Sequence, residues 1–349
     1  MGKTIVGVDI GSTMLRAVEV ADADKARPTL LRYHEQVLPE GAVSRGEVLE
    51  PNTVANALKH LWTVGGFKSK DVVLGVGNQR VLARDLSVPK MSLKRIRESL
   101  PFHVQELLPV PVADALLDFY PVSESIGESG PMVNGLLIAA VKDAVLANVK
   151  AANLAGLATA EVDLIPFALS RVLVSRPKLE QIVVLIDIGA NTTSVVISNN
   201  GVPQFVRIIP TGGADLTQAL REGLDIESVE AERLKRSLGL AKQVTSPEEQ
   251  RAVEIIYQIT SELLNSLRNT VNYFVNTRPH EVVSQIVMTG GGAELPGLQD
   301  ALGEMTRVPV VAGDPYKTVS LSRGLNADDL RRDRTAITVA LGLALGSAA

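Results

Sequence analysis

The chain has 349 residues, of which 46% are hydrophobic and 21% are charged, a composition typical of globular proteins and sufficient for about two domains. Its net charge of −4, without a long run of lysine and arginine, argues against a nucleic-acid partner. The lack of cysteine excludes disulfides and thiolate metal sites, and the N-terminus does not resemble a signal peptide. We therefore expect a soluble cytoplasmic protein without direct membrane insertion.

The first part of the chain predicts strands and helices that alternate around a core sheet. Residues 4–10 and 14–20 are typical of two strands joined by a tight Gly-Ser-Thr turn. Helical spacing follows over residues 51–64, and an apolar run from residue 72 predicts a buried strand. Between residues 88 and about 160 the pattern favours an inserted subdomain. Its predicted elements are a helix from Ser92, strands at 115–122 and 132–141, and a helix at 142–154.

The second part of the chain opens with another buried strand, at residues 182–188. The stretch from about 215 to 280 predicts a second, mostly helical insertion. Within it, Ser246 and Pro247 are typical of the start of a long helix. The other predicted elements are a strand at 202–211, a strand at 282–289 and a final apolar helix at 334–345.

One motif occurs twice: an apolar strand that ends in Asp-Ile-Gly and is followed by hydroxyl residues and a second strand. The copies read IVGVDIGST at residues 5–13 and IVVLIDIGANTTS at residues 182–194. Each copy alone is also typical of a tight turn capped by an aspartate. Two copies in register favour opposing turns of a duplicated half-molecule that clamp a phosphate chain. Asp9 and Asp187 would then hold Mg²⁺, largely through water.

Other residues complete a candidate nucleotide site. The triplet Gly290-Gly291-Gly292 follows a strand, where it would let a nucleoside lie against the backbone, although an ordinary strand-to-helix turn has the same pattern. Glu232 and Lys235 lie on one face of a predicted helix, where they would hold a ribose and an adenine edge or form a solvated charge pair. Gly212 and Gly213 would approach the phosphates or simply begin the helix.

The order of these motifs resembles that of the ATPase superfamily of actin, heat-shock chaperones and sugar kinases. Within it, the chain is most similar to the PilM family of type IV pilus assembly, a relative of the division protein FtsA. The segments that carry the closer resemblance are AGLATAEVDLIPFALSR at 155–171, AERLK at 231–235 and VALGLAL at 339–345.

The resemblance implies an α/β actin-like fold with two RNase-H-like core domains, each carrying an inserted subdomain. The implied boundaries are 1–87 and 330–349 for the first core domain, 88–160 for its insertion, 161–214 and 281–329 for the second core domain, and 215–280 for the helical insertion. ATP and Mg²⁺ would lie in the cleft between the core domains. The expected ATP contacts are Gly11, Ser12, Thr13, Arg16, Gly189, Asn191, Thr192, Thr193, Gly212, Gly213, Glu232, Lys235, Gly290, Gly291, Gly292, Ala293 and Leu295.

The resemblance also implies partners. Family members bind the cytoplasmic N-terminus of the inner-membrane protein PilN, so this chain would be recruited peripherally to the inner membrane with other pilus components. Arg16 stands where the family usually has a lysine. Asp9, Asp187 and Asp163 are the candidate catalytic residues, with Glu161 as an alternative to Asp163 for positioning water. We expect at most slow hydrolysis, with nucleotide acting mainly as a structural ligand or switch.

Two other functions remain open at this point. A sugar-type kinase uses the same fold, but it needs a base for the acceptor hydroxyl, and residues 88–160 contain no polar sugar-binding cluster. A filament-forming protein similar to MreB or FtsA is the other alternative. Anchoring of the FtsA type requires a basic amphipathic helix at the C-terminus, which this sequence lacks.

Overall fold

The computed structural model describes residues 4–128, 130–241, 243–278, 280–332 and 335–346. The strands are β1 (Thr4–Ile10), β2 (Met14–Ala21), β3 (Thr29–Val37), β4 (Val43–Ser44), β5 (Glu47–Val48), β6 (Asp71–Val76), β7 (Val81–Pro89), β8 (Ala115–Gly127), β9 (Gly130–Val141), β10 (Ala158–Leu164), β11 (Ile182–Ile188), β12 (Thr193–Asn199), β13 (Val202–Ile209), β14 (Val283–Thr289), β15 (Val310–Ala312) and β16 (Ser320–Leu321). The helices are α1 (Pro51–Gly65), α2 (Leu93–His103), α3 (Lys142–Leu154), α4 (Ile165–Ser170), α5 (Gly213–Leu224), α6 (Ser228–Leu238), α7 (Pro247–Thr277), α8 (Leu298–Thr306), α9 (Ala327–Arg332) and α10 (Thr338–Ala344).

Five strands of each large sheet follow the same order. The first sheet runs β10-β6-β1-β2-β3-β16, and the second, read in the same direction, runs β15-β14-β11-β12-β13. In each sheet, the strand that ends in Asp-Ile-Gly pairs antiparallel with the next strand and parallel with a later one. The structure therefore confirms the α/β fold and the duplicated half-molecule that the repeated motif predicts.

The sheets and helices form five layers. The outer face of the first sheet packs on α1 and α3. The outer face of the second sheet packs on α5, α7 and α8. Helices α4 and α10 fill the space between the two sheets, where one of the two large apolar cores lies. Helix α10 lies so close to β1 that a Cβ at Gly7 would come within 2.0 Å of the Ala340 carbonyl oxygen. This close packing couples the C-terminal helix to the strand that carries Asp9.

A small three-stranded sheet, β7-β9-β8, extends from the first core domain and packs on α2. It begins at Val81 because β7 pairs along its whole length with β9, and it ends at Val141. Helix α3 instead packs on α1, and β10 pairs with β6 in the first large sheet. The small sheet therefore spans residues 81–141, whereas the predicted insertion spans 88–160, and the division of the chain into subdomains stays a prediction.

Two other boundaries also differ from the expectation. Residues 161–164 belong to β10 in the first sheet, and β16 pairs with β3 of the same sheet, so neither lies in the second core domain. Helix α10 packs on β1 and β2. The predicted helix start at Arg334, and residues 347–349 of the expected first core domain, lie outside the described residues. Within the part of the chain that the structure describes, no helix is both long and apolar enough to cross a membrane.

Candidate nucleotide site

The two Asp-Ile-Gly turns have the same backbone geometry. The N–H of Gly11 donates to the Met14 carbonyl at 3.0 Å, and the N–H of Gly189 donates to the Thr192 carbonyl at 2.9 Å. Both bonds close the hairpin directly after the aspartate strand, so each aspartate stands at a strand end beside exposed backbone. The repeated sequence thus folds into two equivalent turns.

The carboxylates of the two turns lie close enough to interact electrostatically. Burial raises the pKa of both Asp9 and Asp187. For Asp187, the negative charge of Asp9 adds to the burial, and the pKa reaches about 7 although the Arg16 guanidinium opposes the shift. Two buried carboxylates that repel each other favour a cation between them. The structure therefore brings Asp9, Asp187 and Arg16 together, as the clamp requires.

Arg16 is oriented by residues of the neighbouring strand. Its Nε donates to Glu35 Oε2 at 3.3 Å, and the Tyr33 hydroxyl donates to the same oxygen at 2.9 Å. The Arg16 charge lowers the pKa of both Asp9 and Asp187. An arginine in this position can supply a bidentate contact to phosphate oxygens, which a lysine cannot.

The loop before α5 packs directly on the second turn. The N–H of Gly213 donates to the Gly189 carbonyl at 2.9 Å. A Cβ at Gly212 would lie 2.5 Å from the carbonyl oxygens of Gly189 and Ala190, so only glycine fits there. The hydroxyl of Thr193 donates to the Thr211 carbonyl at 2.8 Å, and this side chain is fully buried. The Thr193 hydroxyl thus joins the two loops, and its phosphate contact stays a prediction that would require this bond to open.

A cavity of about 220 Å³ opens beside these loops. A Cβ at Gly291 would meet no atom within 4 Å, whereas one at Gly292 would lie 2.4 Å from the Ile188 side chain. The glycine triplet therefore borders open space on one side and packs against the second turn on the other. The cavity is lined by Ile188, Gly212, Gly213, Leu216, Glu232, Lys235, Arg236, Thr260, Leu263, Gly291, Gly292, Glu294, Leu295 and Leu298.

Glu232 and Lys235 form part of a hydrogen-bond network on the cavity wall. Lys235 Nζ lies 2.5 Å from Glu232 Oε2, and it donates to Thr217 Oγ1 at 2.9 Å and to the Gly213 carbonyl at 3.0 Å. Burial alone would raise the pKa of Glu232, but hydrogen bonds from Lys235, Thr217 and Arg236 lower it to about 2. Lys235 is mostly buried and the Glu232 side chain is 35% exposed, and their hydrogen bonds present a fixed carboxylate to the cavity.

The remaining predicted contacts differ in their surroundings. Ser12 is half-buried and Thr13 exposed in the first turn, and Asn191 and Thr192 are half-buried in the second. Ala293 is buried in the core and is not among the residues that line the cavity, and its contact with the nucleotide stays a prediction. Gly290 is buried against the second turn, because a Cβ there would lie 2.6 Å from Asp187 Oδ1.

Sequence reasoning missed several residues of the site. Thr217, Leu216, Leu263 and Thr260 come from α5 and α7. The signal for Thr217 is its position one turn after Gly213, on the face that also carries Gly213. Thr260 has no comparable signal, because it lies in the middle of a long amphipathic helix.

Asp163, the predicted water-positioning residue, is committed to a structural contact. Its Oδ2 accepts from Arg171 Nη1 at 2.9 Å, and its Oδ1 accepts from the Leu164 N–H at 2.7 Å. The same Arg171 atom donates to the Gly342 carbonyl of α10 at 2.7 Å. Asp163 thus anchors the C-terminal helix, and a role in positioning water would require this ion pair to open. Glu161 is exposed overall. The burial of part of its side chain, together with the negative charge of Asp163, still raises its pKa.

The residues fit a nucleotide with a divalent cation. No group of three or more histidine, aspartate or glutamate side chains that could hold a metal occurs in the described residues. The two interacting carboxylates suit Mg²⁺, because this ion keeps several waters and takes further ligands from phosphates. Asp9 and Asp187 would hold the ion, and the glycine loops with Glu232 would border the nucleoside.

Comparison with known proteins identifies the family. A family model described as type IV pilus assembly protein PilM matches residues 7–348. The chain belongs to the PilM family. The structure of a PilM–PilN type IV pilus biogenesis complex is similar to this chain with a TM-score of 0.85 and 27% identity, over 99% of this chain and 98% of the other. This family membership favours pilus assembly over the sugar-kinase and filament alternatives.

Two further relatives support the actin-like fold. The cell division protein FtsA of Bacillus subtilis is 29% identical over 205 residues, which are 50% of this chain but only 44% of FtsA. The chain thus matches less than half the length of this curated relative. MreB5 of Spiroplasma citri, in a structure bound to AMPPNP, has a TM-score of 0.58 at 11% identity, over 98% of this chain and 95% of that one. The second likeness concerns the fold alone.

Proposed function

We propose that this PilM-family chain is a Mg·ATP-binding actin-like scaffold at the cytoplasmic face of a type IV pilus assembly machine. In this role it binds the cytoplasmic N-terminal peptide of a PilN-type inner-membrane protein, which recruits it to the membrane. The observation that carries the nucleotide part is the pair of interacting carboxylates, Asp9 and Asp187, beside a glycine-bordered cavity.

The two halves of the site contribute different groups to the proposed ligand. Asp9, Asp187 and Arg16 provide charges for the metal and the phosphates, while Gly212 and Gly213 keep the loop beside the second turn free of side chains. The fixed carboxylate of Glu232 suits a ribose hydroxyl, which would donate to it. The leucines on the cavity wall suit the faces of a base.

Turnover is a separate matter from binding. A water-positioning group has to stand free near the γ-phosphate, and Asp163 is held by Arg171. We propose that the nucleotide acts mainly as a structural ligand or switch, and that hydrolysis is slow.

Calorimetry with Mg·ATP tests the nucleotide part of the proposal. We expect wild-type protein to bind, and Asp9→Ala or Asp187→Ala to weaken binding by at least about tenfold, since each removes one charge from the metal site. Asp24→Ala is the matched control because Asp24 is an exposed turn residue. Absence of binding to the wild type, or equal binding by all variants, would contradict the proposal.

The partner part of the proposal is tested separately. A labelled peptide of the cytoplasmic N-terminus of the PilN-type protein from the same genome is titrated with the full chain, and fluorescence anisotropy is measured. We expect saturable binding that a scrambled peptide of the same composition does not reproduce. Binding of Mg·ATP without binding of this peptide would reject the pilus partner and leave the nucleotide site intact.

A further inference from the structure

Thr260 differs from the other hydroxyl residues of α7. The hydroxyls of Ser261, Thr270 and Thr277 donate to the carbonyls of Tyr257, Ser266 and Tyr273, each four residues earlier, at 2.6, 2.7 and 3.0 Å. Such bonds to the preceding turn are the usual way for a helical serine or threonine to satisfy its hydroxyl. The Thr260 side chain is only 1% exposed, yet its Oγ1 has no hydrogen-bond partner among the described residues.

A buried hydroxyl without a partner costs free energy, and ordinary core packing would favour valine at the same position. Such an atom therefore points to a partner that binds from outside the chain. Thr260 lies on the wall of the cavity that the glycine triplet borders, so a ligand in that cavity can supply the partner. A Cβ at Gly291 would stand in open space on the opposite loop, which leaves room for a flat ligand.

The surroundings of Thr260 define what kind of group it would meet. The same cavity wall carries three leucines, Leu216, Leu263 and Leu298. The charged side chains of the wall make bonds of their own, since Glu232 pairs with Lys235 and accepts from Arg236 at 2.8 Å. An uncharged hydroxyl in a wall that also carries leucines suits the polar edge of an aromatic ring system better than it suits a phosphate.

We propose that Thr260 is a specificity-determining residue whose hydroxyl accepts a hydrogen bond from the 6-amino group of adenine. The inference rests on the proposed function, in which the cavity takes the nucleoside of Mg·ATP. A hydroxyl oxygen accepts from an amino group, so adenine supplies the donor that the Thr260 oxygen lacks. A purine without the 6-amino group leaves the Thr260 oxygen without its donor.

The test compares two ligands and two variants. Thr260→Val removes the hydroxyl at nearly constant volume, and Thr260→Ser keeps the hydroxyl while it removes the methyl group. Calorimetry measures the Kd of each protein for Mg·ATP and for the magnesium complex of purine riboside triphosphate, which lacks the 6-amino group. We expect Thr260→Val to weaken Mg·ATP by about 5- to 10-fold, Thr260→Ser to bind it nearly as the wild type does, and the analogue to bind wild type and Thr260→Val equally.

A second measurement separates this contact from a folding effect. We expect nucleotide-free Thr260→Val to melt no lower than the wild type, because it loses an unsatisfied hydroxyl. An unchanged Kd for Mg·ATP in Thr260→Val, or equal weakening of both ligands, would overturn the role of Thr260 while wild-type binding still supports the nucleotide site. Failure of the wild type to bind Mg·ATP would overturn the proposed function and this inference with it.

Discussion

The two halves of the molecule share a sheet and a turn but differ in what stands across from each aspartate. Asp9 pairs across the hairpin with Arg16, whereas Asp187 pairs with buried Ser194. The first half therefore brings its own cation to the carboxylates. The hairpin of the second half places no cationic side chain opposite Asp187, whose pKa is about 7.

The halves also differ in what surrounds the turns. All residues that line the cavity lie between Ile188 and Leu298, in the second half, and the inserted helices α5, α6 and α7 contribute to its wall. In the first half the small sheet follows β6, whereas the inserted helices of the second half lie between β13 and β14, so the two insertions occupy different places in the shared topology. The duplication thus produces one composite site, in which the first half adds charge and the second half adds the cavity. Variants that affect the two halves differently test this division.

The largest expected effect concerns the contact between the glycine triplet and the second turn. Gly290 has φ of +85°, and a Cβ there would lie 2.5 Å from the Ile188 carbonyl oxygen. We expect Gly290→Ala to destabilise the fold by about 3–5 kcal/mol, because strain and a backbone clash add together. Urea unfolding measures the change. Gly291→Ala is the matched control, since its Cβ would meet nothing within 4 Å and should change stability by less than about 1 kcal/mol. Equal stability of the two variants would contradict this account.

The second prediction concerns the pH dependence of nucleotide-free protein. The pKa of Asp187 is about 7 in the folded state against an ordinary value of 3.8, so the folded state binds the proton more tightly than the unfolded state. The contribution of Asp187 to the free energy of unfolding is complete below pH 3.8 and is lost progressively as the pH rises to about 7. We expect a loss on the order of 2–4 kcal/mol over this window.

Urea unfolding of the metal-free and nucleotide-free protein at a series of pH values measures this slope. Asp187→Asn should remove most of it and should be more stable than wild type at pH 8, because its side chain is never charged. Asp24→Asn, in an exposed turn, should keep the wild-type slope. A slope that survives in Asp187→Asn would assign the pH dependence to other groups.

The sequence predicted the turns well because their geometry is local. The strand, the aspartate, the glycine and the closing hydrogen bond lie within eleven neighbouring residues, Thr4 to Met14 and Ile182 to Thr192, and the repeat shows that the pattern is not accidental. The start of α7 is equally local: Ser246 Oγ accepts from the Glu249 N–H at 3.1 Å, as the capping pattern predicts.

The structure differs from the sequence-based expectation where distant segments pack together. Strand β7 alternates only weakly in hydrophobicity, and its membership of the small sheet depends on pairing with β9, far along the chain. The same holds for Thr193, whose hydroxyl is used by the Thr211 carbonyl of another loop. Thr217 and Thr260 join the site only because α5 and α7 pack together, which no local pattern encodes.

The third prediction tests the cation of the first half. Arg16→Met removes the charge that opposes the raised pKa of Asp187, so the pH at which stability is lost should move upward. Mg·ATP affinity should fall by about 3- to 10-fold, since a phosphate contact disappears. Both are measured by pH-dependent unfolding and calorimetry. Arg80→Met is the control, because Arg80 is paired with Glu47 on the surface at 2.8 Å and should leave both values unchanged. An unshifted pH profile in Arg16→Met would show that the Arg16 charge does not act on the pKa of the carboxylates.

The smallest expected effect concerns a hydrogen bond between the halves. Thr335 precedes α10 and donates to Glu294 Oε1 at 3.1 Å, and Glu294 lines the cavity. Thr53 makes a similar bond to Glu50 at 2.8 Å within the first half, so Thr335→Val and Thr53→Val each remove one hydroxyl-to-carboxylate bond. We expect each to cost less than about 1.5 kcal/mol in urea unfolding.

Calorimetry with Mg·ATP distinguishes the two variants. Only Thr335→Val should weaken nucleotide binding, by about two- to threefold, because it frees the loop that borders the cavity from the helix packed on β1. Equal affinities in the two variants would mean that α10 supports the first sheet without restraining the cavity loop. The two halves would then be joined at the site only through the facing carboxylates, and the cavity loop would respond to nucleotide independently of the C-terminal helix.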